Sequence, residues 1–157
     1  MATLPSWGDC YEVSFQMFVE SFTGGDPSLG GWSEFLRFTT IEGDMGDDML
    51  PGTRIPAVFV NNGGYIGVRS QVGTDANFHQ NINIQARTWI PVEIKQYAED
   101  GVLKFKVLVN GGIVVDTSST NTIPKQCTSW ENVKVWASGF RYPAANAKIK
   151  NLKASKS

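Results

Sequence analysis

The run Arg54-Ile55-Pro56-Ala57-Val58-Phe59-Val60, followed by Asn61-Asn62-Gly63-Gly64 and Tyr65-Ile66-Gly67-Val68, decides the fold class. Two stretches rich in β-branched and aromatic residues flank an Asn/Gly cluster, which reads as strand, tight turn, strand. Just before it lies Glu42-Gly43-Asp44-Met45-Gly46-Asp47-Asp48, an acidic segment punctuated by glycine. A hairpin with a carboxylate-rich loop at its mouth is one way for an extracellular β-sandwich domain to present a ligand or a metal.

Outward from this hairpin, period two dominates. Tyr11, Val13, Phe15, Met17 and Val19 alternate with Glu12, Ser14, Gln16 and Glu20, an alternation spoiled only by Phe18. Leu36 and Phe38 bracket Arg37, and Ile90, Val92 and Ile94 alternate with Pro91 and Glu93. Leu103, Phe105, Val107 and Val109 give the clearest case, while Val133/Val135 and Ala147/Ile149 repeat it around lysines. No segment holds a helical stripe for three turns. Asn110-Gly111-Gly112 and Ala98-Glu99-Asp100-Gly101 supply hairpin turns, because Asn-Gly and Asp-Gly pairs tolerate positive φ at both central positions. Long loops are expected at 22–31 and 41–53, lengths that are usually functional or mobile. The expectation is an all-β chain, a two-sheet antiparallel β-sandwich, as one domain over 1–157 with 154–157 frayed. Phe15, Phe105 and Val135 are expected on the inner faces, and Trp89, at the start of a strand, is assigned to the core. Trp136 should face away from Val133 and Val135.

A chain of 157 residues with 41% hydrophobic and 18% charged residues is large enough for a substantial core. A formal net charge of -1 argues against nucleic acid, which needs clustered Lys and Arg. Lys148, Lys150, Lys153 and Lys156 read as a solvated face. No apolar run approaches the ~18 residues of a membrane-spanning helix, so no membrane insertion is expected. Met1-Ala2-Thr3-Leu4-Pro5-Ser6-Trp7 has neither a charged n-region nor an apolar h-region, so it is read as a mature domain behind an added Met, with an intracellular chain as the alternative. Cys10 and Cys127 are the only cysteines. A disulfide closing nearly the whole chain is the favoured reading, and two reduced thiols the other.

Three blocks carry a resemblance. Phe38-Thr39-Thr40 with Gly52-Thr53-Arg54-Ile55-Pro56-Ala57-Val58-Phe59, then Trp89-Ile90-Pro91-Val92-Glu93-Ile94-Lys95-Gln96, then Asn132-Val133-Lys134-Val135-Trp136-Ala137-Ser138 with Ile149-Lys150-Asn151-Leu152 span most of the chain. In order and spacing they resemble the concanavalin-like jelly-roll domains of animal extracellular proteins, including laminin G-like and pentraxin-like modules, and more narrowly a marine-invertebrate set. The resemblance implies a jelly roll with adjacent N- and C-terminal strands, which would bring Cys10 and Cys127 near each other. No calcium-ligand set of pentraxins or laminin G modules maps onto this chain residue by residue.

Calcium takes six to eight oxygens, and Glu42, Asp44, Asp47 and Asp48 supply carboxylates while Gly43 and Gly46 free the backbone to turn its carbonyls inward. Asp26, Asp75 and Asn77 are further contributors from other loops, and a solvated loop is the bland alternative. Trp32, Phe140, Arg141 and Tyr142, in or beside loops, suit stacking on a sugar ring and, with Asp75 and Asn77, form the candidate ligand edge. Glu42-x-Asp44-x-x-Asp47 distantly echoes the carboxylate pair of jelly-roll glycoside hydrolases, but glycines interrupt it and it reads as loop, not rigid strand. His79 is the only histidine, with no nucleophile motif beside it. These residues lead to a non-enzymatic, lectin-like extracellular module binding carbohydrate, with calcium as a candidate cofactor. The alternative is an adhesive module contacting an extracellular protein or a second copy as a homo-oligomer, and a hydrolase is a distant third.

Overall fold

In the computed structural model, residues 2–40, 52–71, 77–117, 123–124, 127–137 and 142–156 are described. Among them, twelve strands form two antiparallel sheets packed as a jelly-roll β-sandwich. The first sheet runs β1 (Ala2–Gly8), β11 (Ser129–Trp136), β3 (Trp32–Thr39), β4 (Ala57–Asn61), β5 (Tyr65–Gln71) and β6 (Asn77–Asn83). The second runs β10 (Ile123–Pro124), β8 (Val102–Val109), β7 (Trp89–Glu99), β2 (Tyr11–Val19) and β12 (Ala147–Lys156), with β9 (Gly112–Asp116) also on β8.

The alternation read from the sequence decides which side chains go inside. Tyr11, Val13, Phe15, Met17 and Val19 of β2, Ile90, Val92 and Ile94 of β7, and Leu103, Phe105 and Val107 of β8 are buried. They meet Phe38, Val58, Val60, Ile66, Val68 and Val133 of the first sheet. Each such side chain contributes roughly 1.5–3 kcal/mol on leaving water. Positive φ at Asp100 and Gly101, and at Asn110 and Gly111, closes the two hairpins where Asp-Gly and Asn-Gly stand.

Cys10 and Cys127 are joined, with Cα atoms 5.3 Å apart. The pairing of β1 with β11, Gly8 opposite Ser129, sets this proximity. The C-terminal strand β12 pairs with β2 instead, so the terminal strands lie in different sheets. Buried polar bonds tie the same end together. Trp7 Nε1 donates to Ile55 O (2.7 Å), Gln96 Nε2 to Asp9 O (2.5 Å) and Trp130 Nε1 to Asp9 Oδ1 (2.7 Å).

Three expectations change. Trp89 is not core but 37% exposed, because the inward phase of Ile90, Val92 and Ile94 turns it to the outer face. There it lies 5.3 Å from Phe18, the residue that spoiled the β2 alternation. Val135 is only partly buried, since its partner across β1 is the small, exposed Ala2. Residues 154–156 are not a frayed end, for Ala154 and Lys156 pair with Val13 and Tyr11. The expected loop at 22–31 is present, and it is tied to the end of β4. Gly25 N–H donates to Asn62 Oδ1 (3.0 Å), Asn62 Nδ2 to Gly25 O (3.2 Å), and Asn61 Nδ2 to Gly30 O (3.0 Å).

Candidate functional site

The outward positions of β3, β4, β5 and β6 fall into three rows. Their register aligns Trp32, Asn61, Tyr65 and Asn83, then Glu34, Phe59, Gly67 and Asn81, then Arg37, Ala57 and Arg69. A bulge after Glu34 keeps Arg37 in phase with Glu34, two residues of β3 passing where β4 has one. Phe35 and Leu36 both pack into the core as a result.

Small residues in the middle strands leave room for large ones from the sides. A Cβ on Gly67 would stand 2.9 Å from Cη2 and Cζ3 of Trp32, so the indole lies across β5 where only glycine fits. Trp32 meets Phe59 and Tyr65 edge-on, with ring centroids 6.2 and 5.4 Å away. Phe59 points outward yet is only 1% exposed, because three guanidinium groups and two aromatic rings, Trp32 and Tyr142, surround it. Arg37, Arg54 and Arg69 stand 5.7, 5.6 and 5.1 Å from its ring centroid, within cation–π range. Arg69 also stands 5.2 Å from the Trp32 ring. Glu34, wholly buried, accepts a hydrogen bond from Arg37 Nε, which fixes both side chains more than it adds stability.

Tyr142 closes the fourth side, its ring 5.2 Å from Phe59. The chain that carries it runs along β3, where Glu34 N–H donates to Pro143 O and Ala145 N–H to Glu34 O, each at 2.8 Å. The result is a buried floor of Phe59, Glu34, Arg37 and Arg54. Its half-buried rim is Trp32, Tyr65, Arg69 and Tyr142, with exposed Asn81 at one edge. Such a surface can stack on an apolar ring face and donate hydrogen bonds from guanidinium groups and amides.

Of the ligand residues expected from sequence, Trp32 and Tyr142 are therefore brought together, on either side of Phe59. Asn77 opens β6 opposite Gln71, six positions from the Trp32 row, or ~20 Å of strand. Phe140, Arg141 and Asp75 lie outside the described residues, as do Glu42, Asp44, Asp47 and Asp48. The described residues on either side of 41–51 meet, since Thr40 N–H donates to Gly52 O at 3.0 Å. Asp26 already has a local task. Its carboxylate accepts from Ser28 N–H (2.8 Å) and Ser28 Oγ–H (2.7 Å), and these bonds hold its pKa below the usual aspartate value. Among the described residues, no group of three or more His, Cys, Asp or Glu is placed to hold a metal.

Glu34, Arg37, Arg54, Phe59, Tyr65, Gly67, Arg69 and Asn81 were not anticipated. One signal was present: Gly67, inside the alternating run Tyr65-Ile66-Gly67-Val68, marks a close approach to a strand. What crosses there is fixed by register between distant strands.

No protein-family model matches the chain, and no curated protein sequence matches it. Among solved structures, it is similar to a native heptameric SAP-like pentraxin of Limulus polyphemus, with TM-score 0.60 and 15% identity over 98% of this chain. The chain spans 66% of that pentraxin's length. A galectin of Caenorhabditis elegans aligns with TM-score 0.47 and 12% identity over 98% of this chain and 89% of its own. A carbohydrate-binding module of Bacillus subtilis aligns with TM-score 0.43 and 12% identity, over 99% and 78%. The pentraxin likeness shows a shared fold, and fold alone does not assign a ligand.

Proposed function

We propose that the chain is a non-enzymatic carbohydrate-recognition module working outside the cell. The observation that carries this is Trp32 laid across Gly67, flanked by Tyr65 and Tyr142 over a floor of fixed guanidinium groups. A pyranose stacks on such a ring while its hydroxyls take hydrogen bonds from Arg69 and Asn81. Among the described residues of these rows, Glu34 is the one carboxylate and it is engaged by Arg37, whereas glycoside hydrolysis takes two. The Cys10–Cys127 disulfide favours an oxidising compartment. No helix of the described residues is long and apolar enough to cross a membrane. Phe140 and Arg141, next in sequence to Tyr142, remain proposed contributors to this surface, and Asp75 and Asn77 to a ligand edge farther along the sheet. So does calcium at Glu42, Asp44, Asp47 and Asp48, whose support is the donor set itself.

A glycan array in calcium and in chelator tests the reading. Trp32→Ala and Tyr142→Ala should each weaken a hit by about tenfold, equivalent to ~1.4 kcal/mol of lost stacking. An array silent under both conditions would overturn it.

A second reading, self-association as an adhesive module, has one observation in its favour. Ile113 and Val114, on the edge strand β9, are 58% and 43% exposed. An apolar edge invites strand pairing with another chain. Monomeric behaviour in sedimentation at high concentration would remove it.

A further inference from the structure

On the opposite side of the sandwich, the outer face of the second sheet holds a groove of about 760 Å³, within the usual range for ligand sites. Its origin is a defect in pairing. Lys150 pairs with Gln16 and Lys153 with Ser14, so Asn151 and Leu152 together face one residue of β2. Asn151 takes φ 54°, a left-handed conformation that asparagine tolerates, and the bulge swings β12 out of line beside β2. Bulges of this kind re-aim side chains at sheet edges and next to sites.

The groove is amphipathic. Register brings Gln16, Pro91 and Asn110 into one line across β2, β7 and the β8–β9 turn. The neighbouring line is Ser14, Glu93 and Leu108. Pro91, Leu108 and Leu152 give apolar patches, and Leu152 is 40% exposed. Against them stand the amides of Gln16, Asn110 and Asn151, whose side chains make no hydrogen bond to the described residues and so retain both donors and acceptors. The lining carries one carboxylate, Glu93, which shares Lys95 (2.8 Å) with Glu12 (3.3 Å), and one ammonium, Lys153. Beyond Pro91 along the strand, exposed Trp89 extends the surface, with Lys150 Nζ 3.9 Å from its ring centroid.

We infer that this groove is a second glycan subsite, separate from the Trp32 rows, that takes a neutral oligosaccharide chain. Amides with free donors and acceptors match sugar hydroxyls. The proline and leucine surfaces match the C–H faces of the rings, and a lining with one charge of each sign, Glu93 and Lys153, gives no net reason to prefer an ionic ligand. Two subsites on opposite faces would let one domain bridge two glycan chains, a gain in avidity needing no oligomer.

The test is amide-resolved NMR titration of the whole chain with neutral hexasaccharides of β-glucan, xylan and mannan, and a heparin hexasaccharide as the anionic comparison. At least one neutral probe should shift the amides of Gln16, Leu108, Asn110 and Asn151 saturably, and Trp32→Ala should leave those shifts in place. Asn151→Gly keeps the left-handed residue and removes the amide. Combined with Gln16→Ala it should weaken binding about tenfold, the loss expected of two hydrogen bonds, with the remaining spectrum unchanged. Shifts confined to the Trp32 rows would support the first site and overturn this one. Shifts here with heparin alone, abolished by about 0.3 M salt, would overturn the neutral class. Shifts that follow protein concentration without sugar would assign the groove to a second copy instead.

Discussion

Trp32 on β3 and Gly67 on β5 stand two strand spacings apart in one sheet, with β4 between them, and the indole of the first covers the backbone of the second. The Cβ that any other residue would carry at position 67 lies 2.9 Å from two indole carbons. The φ of Gly67 is not in the left-handed region, so the constraint is space rather than backbone conformation. Gly67→Ala should therefore fold, and on propensity alone even gain about 0.5 kcal/mol in a strand. It should instead displace the ring, changing tryptophan emission and cutting glycan affinity several-fold. Unchanged emission and affinity would show that the ring has another way to lie.

How much of this was legible in the sequence depends on the range of the contact. The inward phase of β2, β7 and β8 could be read from Tyr11 to Val19, Ile90 to Ile94 and Leu103 to Val107, because alternation is local and burial follows from it. The Asn110-Gly111 and Asp100-Gly101 turns were equally local. Trp89 is assigned to the core because it starts a regular strand, but the phase of Ile90, Val92 and Ile94 fixes it outward. The ring of arginines about Phe59 was invisible. Arg37, Arg54 and Arg69 come from three segments, and only the bulge after Glu34 and the β4–β5 register bring them to one ring. Tyr142 was chosen for its loop setting, but its contact with Phe59 depends on the pairing of 143–145 with Glu34.

The Cys10–Cys127 bridge spans a sequence separation of 117 residues. In the chain-entropy model, a closed loop of that order restricts the unfolded state by ~4–5 kcal/mol, and removing a native bridge typically costs ~2–5 kcal/mol. Cys10→Ala with Cys127→Ser should lower the denaturant midpoint accordingly, with a larger m-value because the unfolded chain expands once the cross-link is gone. Two titratable thiols in protein isolated without reductant from an oxidising source would remove both the bridge and the extracellular argument built on it.

Phe105 is 1% exposed at the centre of β8, between partners on β7 and the facing sheet. Phe105→Ala should destabilise by ~3–5 kcal/mol in urea unfolding, from lost transfer energy and the cavity left behind. Leu108→Ala, three positions on but facing outward, should cost far less. Equal losses would mean that the face assignment of β8 is wrong.

Calcium at Glu42, Asp44, Asp47 and Asp48 is tested by its removal. Four carboxylates in seven residues repel one another unless a cation neutralises them. If one binds, free calcium at 100 times its dissociation constant should stabilise the fold by ~2.7 kcal/mol. Asp44→Asn with Asp47→Asn should abolish that gain and leave the metal-free melting temperature nearly unchanged. Identical melting in millimolar calcium and in chelator would leave the stretch a solvated loop.

Acid is expected to reach the Trp32 surface through Asp26. Its carboxylate caps the short 3-10 turn Pro27–Leu29 through Ser28, and its backbone carbonyl accepts from Gly31 N–H at 2.8 Å, one residue before Trp32. The bonds from Ser28 depress its pKa in the folded state. A depressed acid stabilises the fold fully above the unfolded value, ~3.9 for aspartate, and loses that contribution as pH falls through the lower folded value. Trp32 should thus be indifferent to pH from neutrality down to about 5, then move at a midpoint below the ordinary aspartate range. The indole N–H resonance of Trp32 reports this directly. Asp26→Asn keeps an oxygen that accepts from Ser28 but cannot titrate, so it should hold Trp32 in place and erase the acid transition. A midpoint at or above the ordinary aspartate value, or the same transition in Asp26→Asn, would place the sensitivity elsewhere.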